Sequence, residues 1–557
     1  MTTALRISLA ALLAPAALSQ SALLREGDPA PAGSAGTMIT FISNTAVNQS
    51  GGYAATIGTS GGGGTLSGVW GNLSGGTGGL LREETTIGNL TQTSFESFFG
   101  IAAAEVCYSA SSDRAGGSTG LDGVWLDDTV IAIEEDPVPN TPNLFWTFAS
   151  RPGATQGGVP YFIGGRSTTQ GGSTQTRAIY FGVVPAPVYE SGVTYPNMPA
   201  PLSTQAVDFD FRFSANGTNN ITPLDLETTT ADDGVIASNG VGLILGGTLV
   251  QESNVIPVSV GGIGDAWDNF DFCGITEAGD YFFTGDTDGD TSTDEFIVRN
   301  GVIALREGDT ADGEVVSGSI EGAFVNESNE LVVIWDIVDA GGGTIEAMLL
   351  EGEIVLREGD PVDWDGDGVI DPGVTITNFT GTSSVTIDAN GAIYFTADCD
   401  VMGTTLEGYF RLGDGSIGTN YCSANPNSTG TTSKISAVGS ASVADNSVTL
   451  FASDLPLNAT TYFLTSMTQD FVMNPGGSQG NLCVGGAIGR YVGPGQVLNS
   501  GAAGEASLVL DLTQTPQPTG FVSIQPGETW NFQGWHRDSL MGSATSNFTD
   551  GLEILFQ

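Results

Sequence analysis

The six residues Leu356-Arg357-Glu358-Gly359-Asp360-Pro361 have near-identical copies elsewhere in the chain. The other full copies are Leu24-Arg25-Glu26-Gly27-Asp28-Pro29 and Leu305-Arg306-Glu307-Gly308-Asp309. Four weaker copies lie between them: Leu81-Arg82-Glu83-Glu84, Ile133-Glu134-Glu135-Asp136-Pro137, Val188-Tyr189-Glu190-Ser191-Gly192 and Val250-Gln251-Glu252-Ser253-Asn254. The first Glu of successive copies is separated by about 55 residues on average, a period that indicates a repeat architecture.

Each repeat contains enough alternating sequence for four short strands. After Glu307 the predicted strands are residues 315–324, 330–338, 344–350 and 353–356, separated by turns rich in Gly, Asn, Asp and Ser. The repeat after Glu358 lacks its fourth strand, whereas residues 22–25 are a fourth strand without predecessors. A ring closes if this N-terminal strand completes the last sheet, which predicts an all-β, seven-bladed β-propeller. A linear solenoid is the alternative, and it would leave both ends uncapped.

The repeated phrase stops near residue 418, and the sequence is less acidic beyond it. Alternating runs over residues 442–451, 506–512 and 529–535 predict a C-terminal antiparallel β-sandwich of roughly eight strands. The predicted organisation is therefore a signal peptide over residues 1–19, the propeller over residues 20–418 and the sandwich over residues 419–557.

The N-terminus has the features of a secretory signal peptide. Arg6 is followed by an apolar run over residues 7–18 and by small residues that suit cleavage after Ser19. The run is too short to span a bilayer, and no other stretch of about 18 apolar residues occurs, so no transmembrane segment is predicted. We expect a secreted protein, either extracellular or at the cell surface.

The charge balance excludes several classes of function. Lys and Arg total 15 against 63 Asp and Glu, which gives a formal net charge of -48. Nucleic-acid binding needs a basic footprint, so no nucleic-acid partner is predicted. The chain has a single lysine, Lys434, and a single histidine, His536, so catalysis by Lys or by a His pair has almost no residues to use. A hydrophobic content of 40% is sufficient for folded cores.

The repeated phrase behind a signal peptide resembles the secreted β-propeller repeat proteins of environmental bacteria. Residues 422–425, 474–481 and 535–538 are similar to a β-sandwich module that those proteins carry at the C-terminus. The resemblance implies the fold and the exported location. It implies no catalytic residues.

The first candidate metal site is an acidic loop in the last repeat. Carboxylates stand at loop positions 1, 3, 5 and 9, Gly368 at position 6 suits the sharp turn, and the residue at position 7 would offer its backbone carbonyl. The predicted ligands are Asp363, Asp365, Asp367, Val369 and Asp371. The loop resembles the calcium loops of EF-hand, dockerin and thrombospondin type, although Val374 replaces the bidentate Glu at position 12. The alternative is a solvated acidic turn.

A second acidic loop keeps the same spacing with a weaker match. Thr291 stands where Gly is expected and Ile297 lies at position 12. The predicted calcium ligands are Asp286, Asp288, Asp290, Ser292 and Asp294. An acidic hairpin tip without a metal is an equal competitor.

Five cysteines leave at least one unpaired within the chain. Cys422 and Cys483 lie in the C-terminal segment and can pair in an oxidising compartment. For Cys107, Cys273 and Cys399 we expect burial as small apolar side chains.

These features together predict a non-catalytic protein for binding, adhesion or scaffolding, with calcium-stabilised loops and an extracellular glycan or protein as its partner. Both metal candidates and the Glu-Gly-Asp turns are expected on one acidic face, which is the predicted partner-binding surface. The alternative is a secreted carbohydrate-active enzyme, a glycoside hydrolase or lyase, that uses a carboxylate pair in the propeller cleft.

Overall fold

The structure is a computed structural model that describes residues 19–556, except for residues 31–36, 62–63, 75–77, 208–210, 340, 367–369, 372, 380–384, 414–416, 440, 442, 444–445, 447, 502–503 and 541–542. The predicted signal peptide, apart from its last residue, lies outside the described residues. The described chain is all-β, with one short 3-10 turn at Pro475–Gly477. It contains no helix of the length and hydropathy that a membrane crossing requires. The chain divides between Gly413 and Asp414 into two compact units.

Strands β1 to β34 belong to the N-terminal unit. In chain order they are β1 (Ser19–Arg25), β2 (Met38–Val47), β3 (Tyr53–Gly61), β4 (Gly64–Asn72), β5 (Gly79–Glu83), β6 (Thr86–Ile87), β7 (Leu90–Ile101), β8 (Val106–Arg114), β9 (Leu121–Leu126), β10 (Thr129–Ile133), β11 (Phe145–Ala154), β12 (Pro160–Ser167), β13 (Thr176–Phe181), β14 (Ala186–Glu190), β15 (Leu202–Val207), β16 (Arg212–Phe213), β17 (Asn220–Leu226), β18 (Gly234–Ser238), β19 (Val241–Gly242), β20 (Ile244–Leu245), β21 (Thr248–Leu249), β22 (Cys273–Ile275), β23 (Tyr281–Gly285), β24 (Phe296–Arg299), β25 (Val302–Arg306), β26 (Thr310–Ala311), β27 (Glu314–Val325), β28 (Leu331–Val338), β29 (Thr344–Leu350), β30 (Glu353–Arg357), β31 (Val374–Phe379), β32 (Val385–Ile387), β33 (Ile393–Val401) and β34 (Thr404–Gly413).

These strands form antiparallel sheets of four or five strands, which we number in chain order. Sheets 1 to 6 contain β2–β5, β6–β10, β11–β14, β15–β19, β22–β25 and β26–β30, and sheet 7 contains β31–β34 together with β1. The short strands β20 and β21 make a separate hairpin. Within sheets 1 to 6 the strands follow one another in sequence.

The N-terminal strand completes the last sheet. Strand β1 pairs antiparallel with β34, with Gln20 opposite Leu412 and Arg25 opposite Gly408. This confirms the predicted pairing of the N-terminal strand, which begins at Ser19 rather than at residue 22.

Neighbouring sheets pack face to face. In β28 every residue from Leu331 to Trp335 is buried, because alternate side chains enter different cores. Val333 and Trp335 pack with Phe282 of sheet 5, whereas Val332 and Ile334 pack with Phe395 of sheet 7. Sheet 6 is therefore covered on both faces, and each buried side chain of this size contributes about 1.5–3 kcal/mol.

The repeated phrase joins each sheet to the next one. The backbone N–H of Glu358 donates to the carbonyl of Glu346 on β29, and Gly359 donates to the carbonyl of Ile376 in sheet 7, at 3.0 and 2.9 Å. Gly359 has φ of 88°, a conformation that favours glycine. Equivalent backbone N–H groups donate within their own sheets, or to the residue that precedes a strand of the sheet, at Glu26, Glu134, Ser191, Glu252 and Glu307.

The register corrects the alignment of two weak copies. Gly68 lies opposite Glu83 and Ala178 lies opposite Glu190, as Ala347 lies opposite Arg357. The residues equivalent to Glu358 are therefore Glu84 and Ser191, each one position later than the spacing predicts.

The C-terminal unit contains β35 (Thr419–Tyr421), β36 (Lys434–Gly439), β37 (Val448–Ser453), β38 (Thr460–Ser466), β39 (Thr468–Met473), β40 (Asn481–Gly485), β41 (Gly489–Arg490), β42 (Leu498–Asn499), β43 (Ala506–Leu510), β44 (Thr515–Gln517), β45 (Gly520–Val522), β46 (Thr529–Leu540) and β47 (Ser543–Leu555). A six-stranded sheet combines β35, β38, β41, β42, β46 and β47, and a three-stranded sheet combines β36, β37 and β43. Both contribute to one core, in which Leu450 packs in the same cluster as Trp530 and Phe532.

Candidate functional site

One strand from each of the seven sheets borders a common cavity of about 170 Å³. These strands are β2, β7, β11, β16, β22, β27 and β32, the first strands or their immediate neighbours in each sheet. The cavity extends towards the ends of these strands, where short hairpins lead into the second strands. The repeat therefore brings segments from across more than 300 residues to one place, although the repeated phrase itself lies elsewhere in each sheet.

Six of the residues that line the cavity are aromatic. They are Phe98, Phe99, Tyr161, Phe211, Phe213 and Phe324. The ring centroid of Tyr161 lies 4.8 Å from that of Phe213 and 5.6 Å from that of Phe211. A Cβ at Gly153 would stand 2.2 Å from Cζ of Tyr161, so only glycine at this position in β11 lets the Tyr161 ring lie against the strand.

Two arginines line the same cavity. The Arg151 guanidinium lies 4.2 Å from the ring centroid of Phe98, a cation–π arrangement. Burial raises the pKa of the Tyr161 phenol, and the positive charge of Arg212 opposes this rise. Burial also raises the pKa of Glu96, and the positive charge of Arg151 partly offsets it, so Arg151 and Glu96 interact.

The carboxylate of Glu327 lies at the cavity with both oxygens occupied. Oε1 accepts a hydrogen bond from the backbone N–H of Ala215 and Oε2 accepts one from that of Glu277, each at 2.7 Å. Glu327 is the carboxylate among the described lining residues. Because its oxygens accept backbone donors from two sheets, Glu327 connects these sheets at the cavity.

The hairpins at the cavity mouth are tied to each other by Gln156. Its side-chain Oε1 accepts the backbone N–H of Gln49 from sheet 1 at 2.8 Å. Its backbone N–H donates to the carbonyl of Ala215 from sheet 4, and its carbonyl accepts the N–H of Ala103 from sheet 2. Bonds between non-adjacent parts of the chain make this mouth a preorganised opening.

The first predicted metal loop brings three of its carboxylates together. Asp363, Asp365 and Asp371 offer oxygens that all lie within 4.8 Å of one another. Asp363 is 1% exposed, and its Oδ1 accepts the backbone N–H of Gly366 at 2.8 Å. The other two predicted ligands, Asp367 and Val369, lie outside the described residues.

The second predicted loop contributes one residue to a different cluster. Asp286 groups with Asp271 and Glu295, whose carboxylate oxygens lie within 4.8 Å of one another. Asp271 precedes β22 and Glu295 precedes β24, so sheet topology rather than loop spacing brings them together. The spacing rule overlooks Asp271 because it lies outside the loop.

The remaining predicted ligands of the second loop are placed elsewhere. The Asp288 carboxylate accepts the backbone N–H of Ala266 at 2.6 Å. The Asp290 carboxylate accepts the backbone N–H and the hydroxyl of Ser292, at 3.1 and 2.8 Å. Asp294 interacts with Glu307, whose pKa is raised chiefly by burial. These side chains therefore stabilise the turn and its neighbours.

Glu295 is the most perturbed carboxyl group of its cluster. Burial raises its pKa to about 10, and the hydrogen bond and negative charge of Asp286 and the charge of Asp271 add to the shift. Glu295 is 6% exposed. Such a group takes up a proton or is neutralised by a cation.

Both acidic clusters occupy the edge of the sheets opposite to the cavity mouth. Asp363 follows β30, three strands after the cavity-lining β27, and Asp286 follows β23, one strand after the cavity-lining β22. In an antiparallel sheet, the links that lie an odd number of strands after the cavity-lining strand are at the same edge. The hairpins at the cavity mouth follow the cavity-lining strands themselves and lie at the other edge.

His536 in the C-terminal unit is a buried, hydrogen-bonded side chain. It is 0% exposed, and its Nε2 lies 3.0 Å from the Ser433 hydroxyl oxygen. Its Nδ1 faces the carbonyl of Arg537 rather than a carboxylate, and burial lowers its pKa. Both residues of this Ser–His pair are therefore buried.

The cysteines follow the prediction. Cys422 and Cys483 form a disulfide with a Cα–Cα distance of 6.3 Å. Cys107, Cys273 and Cys399 are free thiols and are buried.

Comparison with known proteins identifies no family for this chain. No protein-family model and no curated protein matches the chain. Among solved structures, prolyl oligopeptidase B from Galerina marginata in its apo form is similar to 75% of this chain, with 8% sequence identity and a TM-score of 0.34. This chain spans 56% of the length of that structure.

Proposed function

We propose that this protein is a secreted or cell-surface, non-catalytic binding protein that holds an extracellular glycan in the cavity of its N-terminal unit. In this proposal the seven sheets are the blades of a β-propeller, and the C-terminal unit is a β-sandwich. The packing of sheet 6 against both of its neighbours and the pairing of β1 with β34 support a closed ring. The core common to two sheets supports a sandwich.

The observation that carries the proposed function is the composition of the cavity wall. Aromatic residues and arginines from several sheets line it, and hydrogen bonds connect the hairpins at its mouth. Concave sites of this kind, mostly apolar with a few fixed polar groups, bind small ligands or single units of larger ones. The cavity is better suited to a ligand than the acidic edge, which the sequence indicates as the partner-binding surface.

The alternative of a carbohydrate-active enzyme requires two available carboxyl groups near a sugar. Glu327 is the single carboxylate among the described residues that line the cavity, so the described wall does not supply a pair. His536 is buried away from any opening. These arrangements favour binding over catalysis.

We include calcium in the proposal, at the clusters around Asp363 and Glu295. Hard cations prefer several carboxylate oxygens at one point, and both clusters supply three carboxyl groups. Calcium there would neutralise carboxylates at sheet edges and so stabilise the scaffold. The cavity mouth lies at the other edge and would not need the ion.

A glycan array combined with a hydrolysis screen on extracellular polysaccharides tests the proposed function. We expect binding without release of reducing ends. Ala154→Trp places a large ring among the cavity-lining residues and should abolish binding. Ala186→Trp, on the exposed part of β14, is the matched control and should bind normally. The proposal would be refuted if Ala154→Trp bound glycans as the wild type does. It would also be refuted if the protein hydrolysed a polysaccharide and Ala154→Trp retained that activity.

A further inference from the structure

We propose that the cavity binds the terminal unit of a glycan chain and excludes internal units, because hydrogen-bonded hairpins cross its mouth. This inference rests on the proposed function, because it names the part of the glycan that enters the same cavity. Four residues carry it, and we call them the mouth bridge. Each follows a cavity-lining strand and itself lines the cavity; they are Gln49, Gln156, Ala215 and Glu327.

The size of the cavity sets the first limit on its ligand. Pockets for drug-sized ligands measure about 300–1,000 Å³, whereas this cavity measures about 170 Å³. A cavity of this size suits a single sugar ring rather than several. The remaining units of a bound chain must therefore leave through the mouth between the hairpins.

The mouth bridge joins sheets that are not neighbours in chain order. Gln156 lies in the hairpin of sheet 3, and its Oε1 accepts the backbone N–H of Gln49 in sheet 1 at 2.8 Å. Glu327 lies in the hairpin of sheet 6, and its Oε1 accepts the backbone N–H of Ala215 in sheet 4 at 2.7 Å. Each of these bonds skips one sheet of the series. The hairpins therefore meet across the cavity mouth and not only beside their neighbours.

Ala215 connects the two long-range bonds into one bridge. Its carbonyl accepts the backbone N–H of Gln156 at 2.6 Å, while its own N–H donates to Glu327. A continuous path of hydrogen bonds therefore runs from sheet 1 through sheets 3 and 4 to sheet 6. At the far end of this path, Oε2 of Glu327 accepts the backbone N–H of Glu277 in sheet 5 at 2.7 Å.

Bonds between neighbouring hairpins restrain the mouth further. The side-chain amide of Asn48 donates to the carbonyl of Ala102 in sheet 2, and that of Asn326 donates to the carbonyl of Asp388 in sheet 7, each at 2.8 Å. Both asparagines are buried. Separating the hairpins would leave buried polar groups without partners, which is costly.

A mouth that is both crossed and restrained distinguishes the end of a glycan from its middle. An internal sugar unit has chain leaving it on two sides, so its entry needs an opening on both sides of the ring. The mouth bridge divides that opening. A terminal unit has chain on one side only and can enter beside the bridge.

An array of paired trisaccharides, attached at equal density through the reducing end and probed with the full chain, tests the inference. One member of each pair has the hexose, deoxyhexose or N-acetylhexosamine under test at the free end, and the other has it in the middle. We expect the free-end member to bind at least about tenfold more tightly.

Homo-oligomers on the same array give a second measurement. A trimer and a hexamer of one sugar have the same number of free ends, so they should bind equally. A protein that binds internal units would favour the hexamer about fourfold, in proportion to the number of internal units.

Gln156→Ala tests the mouth bridge, because it removes the bond to Gln49 and leaves the backbone bonds of residue 156 in place. It should raise the binding of middle-position trimers relative to free-end trimers. Gln156→Glu retains an oxygen for the N–H of Gln49 and should restore most of the lost preference. Gln175→Ala is the matched control: the exposed Gln175 also accepts a backbone N–H, that of Thr168, and does not line the cavity.

Equal binding of the two trimers of each pair overturns the inference and leaves the proposed function standing. An end preference that Gln156→Ala fully retains overturns the role of the mouth bridge. If Gln156→Ala does not fold, the wild-type pairs and the homo-oligomers still decide the inference. No glycan binding at all, or binding that Ala154→Trp leaves unchanged, refutes the proposed function itself.

Discussion

Glu26 and Glu407 are joined by two hydrogen bonds although 381 residues separate them along the chain. The backbone N–H of Glu26 donates to the carbonyl of Glu407 at 2.8 Å, and the backbone N–H of Glu407 donates to the Glu26 carboxylate at 3.3 Å. Glu358 and Glu346 are joined in the same way within sheet 6. The N-terminal phrase thus makes the same hydrogen bonds to sheet 7 that the phrase at Glu358 makes within sheet 6, although it lies at the other end of the N-terminal unit's sequence.

The first prediction concerns this closure. Deleting residues 20–28 removes most of β1 and leaves β34 as an unpaired edge. We expect a large fall in the melting temperature of the N-terminal unit, measured by calorimetry. An unchanged melting temperature would reject the closure.

A milder variant tests the same contact without a deletion. Leu24 is 6% exposed and packs with Tyr409, so Leu24→Ala should cost about 2–4 kcal/mol of unfolding free energy. Leu66→Ala, at an exposed site in β4, should cost less than about 0.5 kcal/mol.

The second prediction concerns pH. Burial, then the negative charges of Glu358, Asp336 and Glu321, raises the pKa of Glu346 from 4.5 to about 7. The native state therefore binds this proton more tightly than the unfolded state. Its stabilising effect is complete below about pH 4.5 and is lost as the pH rises through about 7. We expect the urea midpoint to rise when the pH falls from 8 to 5.

Glu346→Gln tests this cause directly. The amide oxygen can still accept the N–H of Phe379, which the Glu346 carboxylate accepts at 2.6 Å, but the repulsion is gone. Because Glu346 is only half-buried, the gain at pH 8 should be no more than about 1 kcal/mol. A variant with the wild-type pH dependence would contradict the assignment.

Part of the fold of the N-terminal unit could be predicted from the sequence, because the repeated phrase has a local conformational requirement. Gly27, Gly308 and Gly359 all have φ near +85°, a geometry that favours glycine and so preserves a visible phrase. The copies at Glu84 and Ser191 were shifted by one residue, because a hydroxyl or another Glu performs the same hydrogen bonding. Only the register shows which residue is equivalent.

The candidate sites were less predictable because topology assembles them. Asp271 joins Asp286 and Glu295 across three strand ends, and no spacing rule connects them. The cavity residues come one or two at a time from each repeat, and Arg212 occurs in one repeat only. The Asp363 loop was visible because its carboxylates are adjacent in sequence.

The third prediction concerns calcium. At a tenfold excess over its dissociation constant, calcium should stabilise the N-terminal unit by about 1.4 kcal/mol for each occupied site. Glu295→Gln and Asp371→Asn should each remove one increment, and magnesium should not substitute for calcium. Chelator should leave the sheets folded, because their cores do not include the metal. Global unfolding in chelator, or no calcium effect in differential scanning fluorimetry, would contradict this prediction.

The fourth prediction concerns the disulfide of the C-terminal unit. The Cys422–Cys483 bond closes a loop with a sequence separation of 61, which corresponds to about 4 kcal/mol of loop entropy in the unfolded chain. The double variant with Ser at both positions should unfold at lower urea in the C-terminal unit and leave the N-terminal transition unchanged. Equal midpoints for the variant and the wild type would show that the bond adds no stability.

The account depends most on the cavity as the binding site, and hydrogen–deuterium exchange with and without a glycan that binds on the array tests it most directly. We predict slower exchange in the cavity-lining segments, residues 44–49, 98–101, 151–156 and 211–215. The Glu-Gly-Asp turns and the C-terminal unit should exchange at the same rate with and without the ligand. Protection at those turns, with no change around the cavity, would contradict the account.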